Sequence, residues 1–245
     1  LPLEKITTFI EEAQSPAFRR INILGGNIFH YSNFSNLLGY LNPLPVVKAY
    51  YVFYRDLAVL RPDALSMLIH HPGGNRNQRI ELNIAMDFPV QREVFGTVVN
   101  LLEKVGMQAK FLFAVEKEDD LECVDQLVSQ YKLRFFLFCP YFNGDNRDFF
   151  GKAVYITREE LLETKLSQED IFRRKMMNSY HFGKLIILNN GDIYANVNAP
   201  KLGRLGVDSL YDVVYKEMTG GKTWVRSRSK VRPCKQCVFE FICPP

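Results

Sequence analysis

The sequence lacks the features that direct a chain to a membrane or out of the cell. No apolar run approaches the roughly 18 to 20 residues that span a bilayer. Residues 1–12 include three acidic side chains and no apolar core of the kind found in signal peptides. The 5 cysteines are odd in number and follow no disulfide-rich spacing. These absences predict a cytoplasmic protein in a reducing compartment, with no membrane partner.

Familiar arrangements of catalytic side chains are missing as well. The sequence has no paired carboxylates, no Ser/His/Asp arrangement and no phosphate-binding loop. Of its 4 histidines, His30 and His181 stand alone, and the neighbours His70 and His71 would point to opposite faces of a strand. We therefore predict no catalytic residue in this chain.

Basic residues are concentrated in one stretch of a chain whose net charge is only +4. Residues 201–235 hold nine Lys or Arg against Asp208, Asp212 and Glu217. A solvated basic face explains this stretch, and a landing site for an acidic peptide or partner is the alternative. No recognition motif accompanies the charge, so nucleic acid is not a predicted partner.

Three cysteines stand together near the C-terminus, where Cys234, Cys237 and Cys243 form a C-x2-C-x5-C array. Two thiolates three residues apart can bind one soft metal ion, and a third can close round it. The array indicates zinc or an iron–sulfur cluster, although a closed site usually needs a fourth ligand. A turn with free or disulfide-bonded thiols is the alternative. Cys123 and Cys139 are assigned to the core.

Helix and strand patterns alternate up to about residue 140. Short, largely apolar strands between amphipathic helices imply parallel pairing, and hence a partial barrel or an open α/β sheet. The predicted strands are 20–24, 46–54, 64–70, 79–86, 109–115 and 133–139, and the predicted helices are 3–13, 33–41, 94–105 and 121–131.

The pattern changes after Pro140. Residues 141–151 read as a loop, and 158–163 and 168–177 as helices. A hairpin is predicted from 184–188 and 193–197, which flank Asn189-Asn190-Gly191-Asp192. A short helix over 208–215 follows, with Asp208 as its expected N-cap. The predicted domain boundary lies near residue 178.

Seven aromatic residues occur in two of the predicted strands. We assign them to the core, with the alternative that they line a cavity for peptide side chains or an edge for strand addition. They are Tyr50, Tyr51, Phe53, Tyr54, Phe135, Phe136 and Phe138.

This layout resembles the radical SAM family with a C-terminal SPASM module, the type that modifies ribosomally made peptides. Residues 3–13 resemble its first barrel helix, and 21–27 resemble the strand that ends in Gly-Gly-Glu-Pro. The resemblance implies a partial (βα) barrel of radical-SAM type over residues 1–178. It implies a small SPASM-like module over residues 179–245, built from a β-hairpin, a short helix and a Cys-rich end. The features that match the SPASM order are Gly191, 202–206, 209–215, Trp224, Arg228 and the cysteine array.

The departures from the family bear on its chemistry. No C-x3-C-x2-C occurs, so this sequence lacks the ligands of the [4Fe–4S] cluster that reduces SAM. Gly25, Gly26 and Asn27 match the stretch that lines the methionine end of SAM, but Asn27 replaces the acid. A plain strand-to-loop turn is the other interpretation of the two glycines. The cysteine that the family places in the hairpin is also missing, since Ala195 and Asn196 stand there.

With these departures the chain resembles the pseudo-radical-SAM, SPASM-containing proteins of Gly-Gly peptide systems, and its Cys-Pro-Pro ending resembles the members found in Bacteroidales. That resemblance implies a catalytically silent bacterial accessory protein that binds the precursor peptide or the active radical SAM maturase. It implies an iron–sulfur cluster or zinc at the C-terminal cysteines and no SAM. Two alternatives stay open. One is an active radical SAM Fe–S oxidoreductase whose cysteine loop precedes Leu1, and the other is an unrelated α/β barrel enzyme with a structural zinc finger.

Overall fold

The computed structural model describes residues 1–15, 17–69 and 79–242. The chain forms two compact units, one of Ser15–Tyr155 and one that joins Leu1–Gln14 to Ile156–Pro245. The domain boundary near residue 178 stays a prediction. Of the residues discussed above, His70, His71 and Cys243 lie outside the described ranges. No helix in those ranges has the length and apolar character needed to cross a membrane.

A five-stranded sheet forms the centre of the Ser15–Tyr155 unit. All four strand pairs are parallel, and the spatial order follows the chain order, so β1 and β5 are the two edges. This confirms the predicted α/β class with parallel pairing. The strands are β1 (Arg20–Ile23), β2 (Val47–Phe53), β3 (Ile80–Met86), β4 (Ala109–Val115) and β5 (Phe136–Pro140).

Helices connect these strands and cover one face of the sheet. The longest apolar stripe is that of α5, which buries Phe95 and Val98 and ends at Gly106, whose φ of +68° suits glycine. Buried Tyr50 and Ile84 lie on the covered face of the sheet. The helices of this unit are α2 (Phe34–Leu41), α3 (Tyr54–Ala58), α4 (Pro62–Ile69), α5 (Arg92–Val105), α6 (Glu118–Tyr131) and α7 (Arg147–Ala153).

The other unit has a smaller core around Trp224. The indole Nε1 donates a hydrogen bond to the Lys184 carbonyl at 3.0 Å. The buried carboxylate of Glu217 accepts bonds from the amides of Thr223 and Trp224, each at 2.8 Å. The elements are α1 (Leu3–Ala13), α8 (Arg158–Glu163), α9 (Gln168–Met176), α10 (Leu210–Gly220) and an antiparallel sheet of β6 (Ile186–Ile187), β7 (Asp192–Tyr194) and β8 (Gly203–Arg204).

Three local predictions are wrong. Residues 64–69 are helical in α4 rather than a strand, because Pro62 and Asp63 favour a helix start. The predicted loop 141–151 contains the start of α7 (Arg147–Ala153), which buries Phe149.

The predicted N-cap of the last helix is wrong by one residue. The cap of α10 is Ser209, whose hydroxyl accepts from the Asp212 amide at 3.2 Å in a capping box. Asp208 instead accepts from the Arg204 amide at 2.9 Å and pairs with Lys216 at 2.8 Å. Lys216, then the Arg204 amide, lowers the pKa of Asp208.

Candidate functional site

The carboxyl ends of the five parallel strands form the candidate site. Ligands of open α/β sheets bind outside the carboxyl ends of the strands, where the loops converge. At its carboxyl end, β1 leads into Gly25, Gly26 and Asn27, the residues that the sequence predicts for cofactor binding.

The two glycines serve backbone conformation rather than tight packing. Their φ angles are +103° for Gly25 and +72° for Gly26. A Cβ added at either position would meet no atom within 4 Å, so the backbone there is open to an incoming group. Asn27 caps the single-turn 3-10 helix Ile28–His30, and its Oδ1 accepts from the Phe29 amide at 3.1 Å.

The turn therefore leaves room for a ligand such as SAM but offers it no charge. Bare backbone at Gly25 and Gly26 allows the close approach that the family resemblance implies for the methionine end of SAM. The Asn27 amide brings no negative charge for the ammonium group of SAM, and its oxygen already serves the Phe29 amide.

An ion pair stands at the carboxyl ends of β2 and β3. Arg55 Nη2 lies 3.2 Å from Asp87 Oδ2, and about half of each side chain is exposed. Arg55 Nε donates to the Tyr54 hydroxyl at 3.2 Å, and this bond, then Asp87, raises the pKa of Arg55. The second oxygen of Asp87, Oδ1, is buried without a hydrogen-bond partner among the described residues. Asp87 thus has one carboxylate oxygen available to accept a hydrogen bond at the carboxyl end of β3.

Asparagine side chains organise the loop after β5. Asn146 Nδ2 donates to the Glu116 carbonyl at 2.8 Å and to the Tyr141 carbonyl at 2.9 Å. Asn143 Nδ2 donates to the Glu116 carboxylate at 2.8 Å. These bonds hold the loop against the end of β4. Tyr141 and Phe142 of this loop are exposed at the carboxyl end of the sheet.

The other face of the sheet carries a polar cluster at one end. The Arg20 guanidinium donates to both Glu81 oxygens, at 3.1 and 2.6 Å, and to Asn22 Oδ1 at 2.8 Å. Glu81, and further Tyr51, raises the pKa of Arg20. Asn83 lies on the same face with 4% exposure, and its Nδ2 has no partner among the described residues. Elsewhere on this face the sheet presents Phe53 and Leu137, both exposed.

The aromatic strand residues divide between core and surface. Tyr50 and Tyr54 are fully buried, as the core assignment expects. Phe53, Phe135 and Phe138 are exposed, contrary to the core assignment. Their exposure agrees with the alternative, a cavity for peptide side chains or an edge for strand addition.

The structure describes two of the three candidate metal ligands. Cys234 opens the short 3-10 helix Cys234–Gln236, and the Cys237 amide donates to its carbonyl at 3.0 Å. Arg228 Nη1 lies 3.5 Å from the Cys234 thiol. Within residues 1–15, 17–69 and 79–242, no cluster of three or more His, Cys, Asp or Glu could hold a metal ion. Because Cys243 lies outside these ranges, the metal site stays a prediction.

Sequence reasoning missed Arg55, Asp87 and the two loop asparagines. Arg55 and Asp87 each follow the end of a strand closely, and that position was the available signal. Their pairing depends on β2 lying beside β3, which only the strand order reveals.

Comparison with known proteins identifies the fold. No family model and no curated protein matches the chain. Structures of SuiB from Streptococcus suis do match, over 100% of this chain. SuiB bound to S-adenosylmethionine gives a TM-score of 0.54 at 18% identity, and SuiB bound to the precursor peptide SuiA gives 0.53 at 18%. The chain spans 65% and 64% of those two SuiB chains. The likeness is one of fold, and it is consistent with the predicted radical-SAM-like architecture.

Proposed function

We propose that this chain is a radical-SAM-like accessory protein that binds a ribosomally made precursor peptide. The observation that carries the proposal is the fold match over the whole chain to SuiB bound to its precursor peptide SuiA. The sheet face that bears exposed Phe53 and Leu137, with the Arg20–Glu81 pair at its other end, supports it. Such a surface can accept both the apolar side chains and the backbone of a peptide.

Catalytic silence is part of the proposal. It is supported by Asn27, which offers SAM no carboxylate, and by the lack of C-x3-C-x2-C in this sequence. The second candidate function is an active radical SAM maturase, with cluster ligands outside these 245 residues. The fold match to SuiB bound to S-adenosylmethionine favours that candidate.

Peptide binding is tested by isothermal titration of the purified chain with a synthetic candidate precursor peptide, made from a short open reading frame that flanks its gene. We expect one-to-one binding, and no binding of a scrambled peptide of the same composition. Equal heats from the two peptides, or none from either, would contradict the proposed function.

Silence is tested on the same protein prepared without oxygen. With SAM and a strong reductant, we expect no 5′-deoxyadenosine above the blank. The product in stoichiometric amount or more would favour the active maturase and refute silence.

We further propose that residues 179–245 form the SPASM-like module and that Cys234, Cys237 and Cys243 bind an iron–sulfur cluster or zinc. The array and its spacing support this. Metal and sulfide analysis of anaerobic protein should find bound metal that is lost in Cys237→Ser. Membership of the pseudo-radical-SAM group and contact with a partner maturase belong to the same proposal, and co-purification with the neighbouring maturase tests the latter.

A further inference from the structure

One edge of the sheet offers a row of backbone hydrogen-bonding groups. The Phe111 amide donates to the Phe135 carbonyl at 3.0 Å, and the Tyr141 amide donates to the Val115 carbonyl at 2.9 Å. Alternate residues of a parallel strand bond to the neighbouring strand, so odd-numbered residues of β5 face β4. The backbone groups of Phe136 and Phe138 then point away from the sheet. They form no hydrogen bond with any other described segment.

The edge also lacks the devices that prevent strand addition. Soluble proteins protect exposed edges with charged side chains, proline or bulges. Residues 135–139 contain no charge, and Pro140 stands only at the end of the run. Phe135, Leu137 and Phe138 are 48%, 52% and 36% exposed. Because neighbouring strand residues point to opposite faces, Leu137 and Phe138 offer apolar contacts on both sides of an added strand.

Positive charge lies at one end of this edge. Lys132 and Arg134 precede β5 and are exposed, and neither pairs with an acid elsewhere in the described residues. An occupant with an acidic residue at that end would gain a complementary contact.

We propose that the free edge of β5 binds an extended, mainly apolar segment of the precursor peptide as a sixth strand. The inference rests on the proposed function and adds the place and mode of binding. The amides of Phe136 and Phe138 donate to the peptide, and their carbonyls and that of Pro140 accept from it. Leu137 and Phe138 contact alternate peptide side chains, and an acidic peptide residue lies beside Arg134. Main-chain bonds supply affinity in this mode, and side-chain contacts supply selectivity.

The protein side is tested with Leu137→Lys, which adds a charge to the edge at an exposed position. The matched control is Leu162→Lys on α8, where Leu162 is 63% exposed. We expect the edge variant to weaken binding of the encoded precursor peptide by about tenfold or more. The control should bind like the wild type, and circular dichroism should show both variants folded. Equal affinity of Leu137→Lys and wild type would overturn the inference.

A second experiment modifies the peptide and leaves the protein unchanged. Two precursor peptides are made with backbone N-methyl groups on alternate residues of the apolar segment, one on the even and one on the odd positions. In an added strand, only one set of amides bonds to the edge, so the two affinities should differ by about tenfold. Equal affinities would overturn strand addition.

A second copy of the chain is the competing occupant. A concentration-dependent dimer that Leu137→Lys disperses, with peptide affinity unchanged, would assign the edge to that copy and overturn the inference. Absence of peptide binding by the wild type is a different result, because it refutes the proposed function itself.

Discussion

The two edge strands of the parallel sheet, β1 and β5, present the same backbone groups but different side chains, which are polar on β1 and apolar on β5. The β1 edge carries Arg20, whose guanidinium is held by Asn22 at 2.8 Å and by Glu81 at 2.6 Å. The strand β5 itself carries Phe136 and Phe138 and no charged side chain, and its nearest charges, Lys132 and Arg134, precede it. A charged side chain held in place discourages strand addition, and an apolar edge permits it. In our proposal, this difference in side chains leaves the β5 edge open to a peptide and the β1 edge closed to it.

The largest effect is expected when proline is introduced into β5 at either of two neighbouring positions, Leu137 and Phe138. In the register described here, the Leu137 amide bonds to β4 and the Phe138 amide points outward. Leu137→Pro should lower the free energy of unfolding by about 3 kcal/mol or more. Phe138→Pro should cost only about 1 to 2 kcal/mol, from lost packing of a partly exposed ring. Urea unfolding measures both values, and equal losses would contradict the register.

An intermediate effect is expected at the polar cluster of Arg20, Asn22 and Glu81 on the sheet face. Glu81→Gln keeps the shape of the side chain and removes the bidentate ion pair with Arg20. Because both side chains are about two-fifths exposed, the loss in unfolding free energy should be about 1 kcal/mol. Asp119→Asn, in the more exposed pair with Lys117, should change stability by about 0.3 kcal/mol or less. A Glu81→Gln value no larger than that of the control would mean that the pair does not hold Arg20.

The smallest effect concerns a thiol beside the apolar edge. Burial raises the pKa of Cys139, so less thiolate is present at pH 8 than for an unperturbed thiol. In protein stripped of metal by a chelator, iodoacetamide should therefore modify Cys139 more slowly than the exposed Cys237. The Cys139 rate should rise as the pH increases through its raised pKa. Bound peptide should slow Cys139 further, by about threefold, and leave Cys237 unchanged. Mass spectrometry of each cysteine reads both rates, and faster reaction of Cys139 would contradict the burial described here.

Sequence reasoning succeeded where the signal was local. The stripe of α5 and its stop at Gly106 are periodic and short-range, and the turn at Gly191 is coded by its own residues. The strand predicted at 64–70 failed because a short apolar run fits either structure, and the start signal at Pro62 was not used.

The candidate site was only partly predictable for a related reason. Gly25, Gly26 and Asn27 follow one strand and could be found from their own pattern. Whether an aromatic strand residue is core or surface depends on the face to which it points, as for exposed Phe53 in β2, and on which strand is last in the sheet. Tyr50 lies in a central strand and is buried, and Phe138 lies in the edge strand and is exposed. Strand order is a property of the whole fold, so composition could not separate these two residues.

Residue-resolved amide hydrogen exchange tests the contrast between the edges most directly. It compares Phe136 and Phe138 of β5 with Arg20 and Asn22 of β1, in the free chain and with the encoded precursor peptide. We expect exchange at Phe136 and Phe138 to slow by about tenfold or more on binding, because their amides gain acceptors, and exchange at Arg20 and Asn22 to stay unchanged. Slowing at the β1 pair with none at the β5 pair would contradict the account.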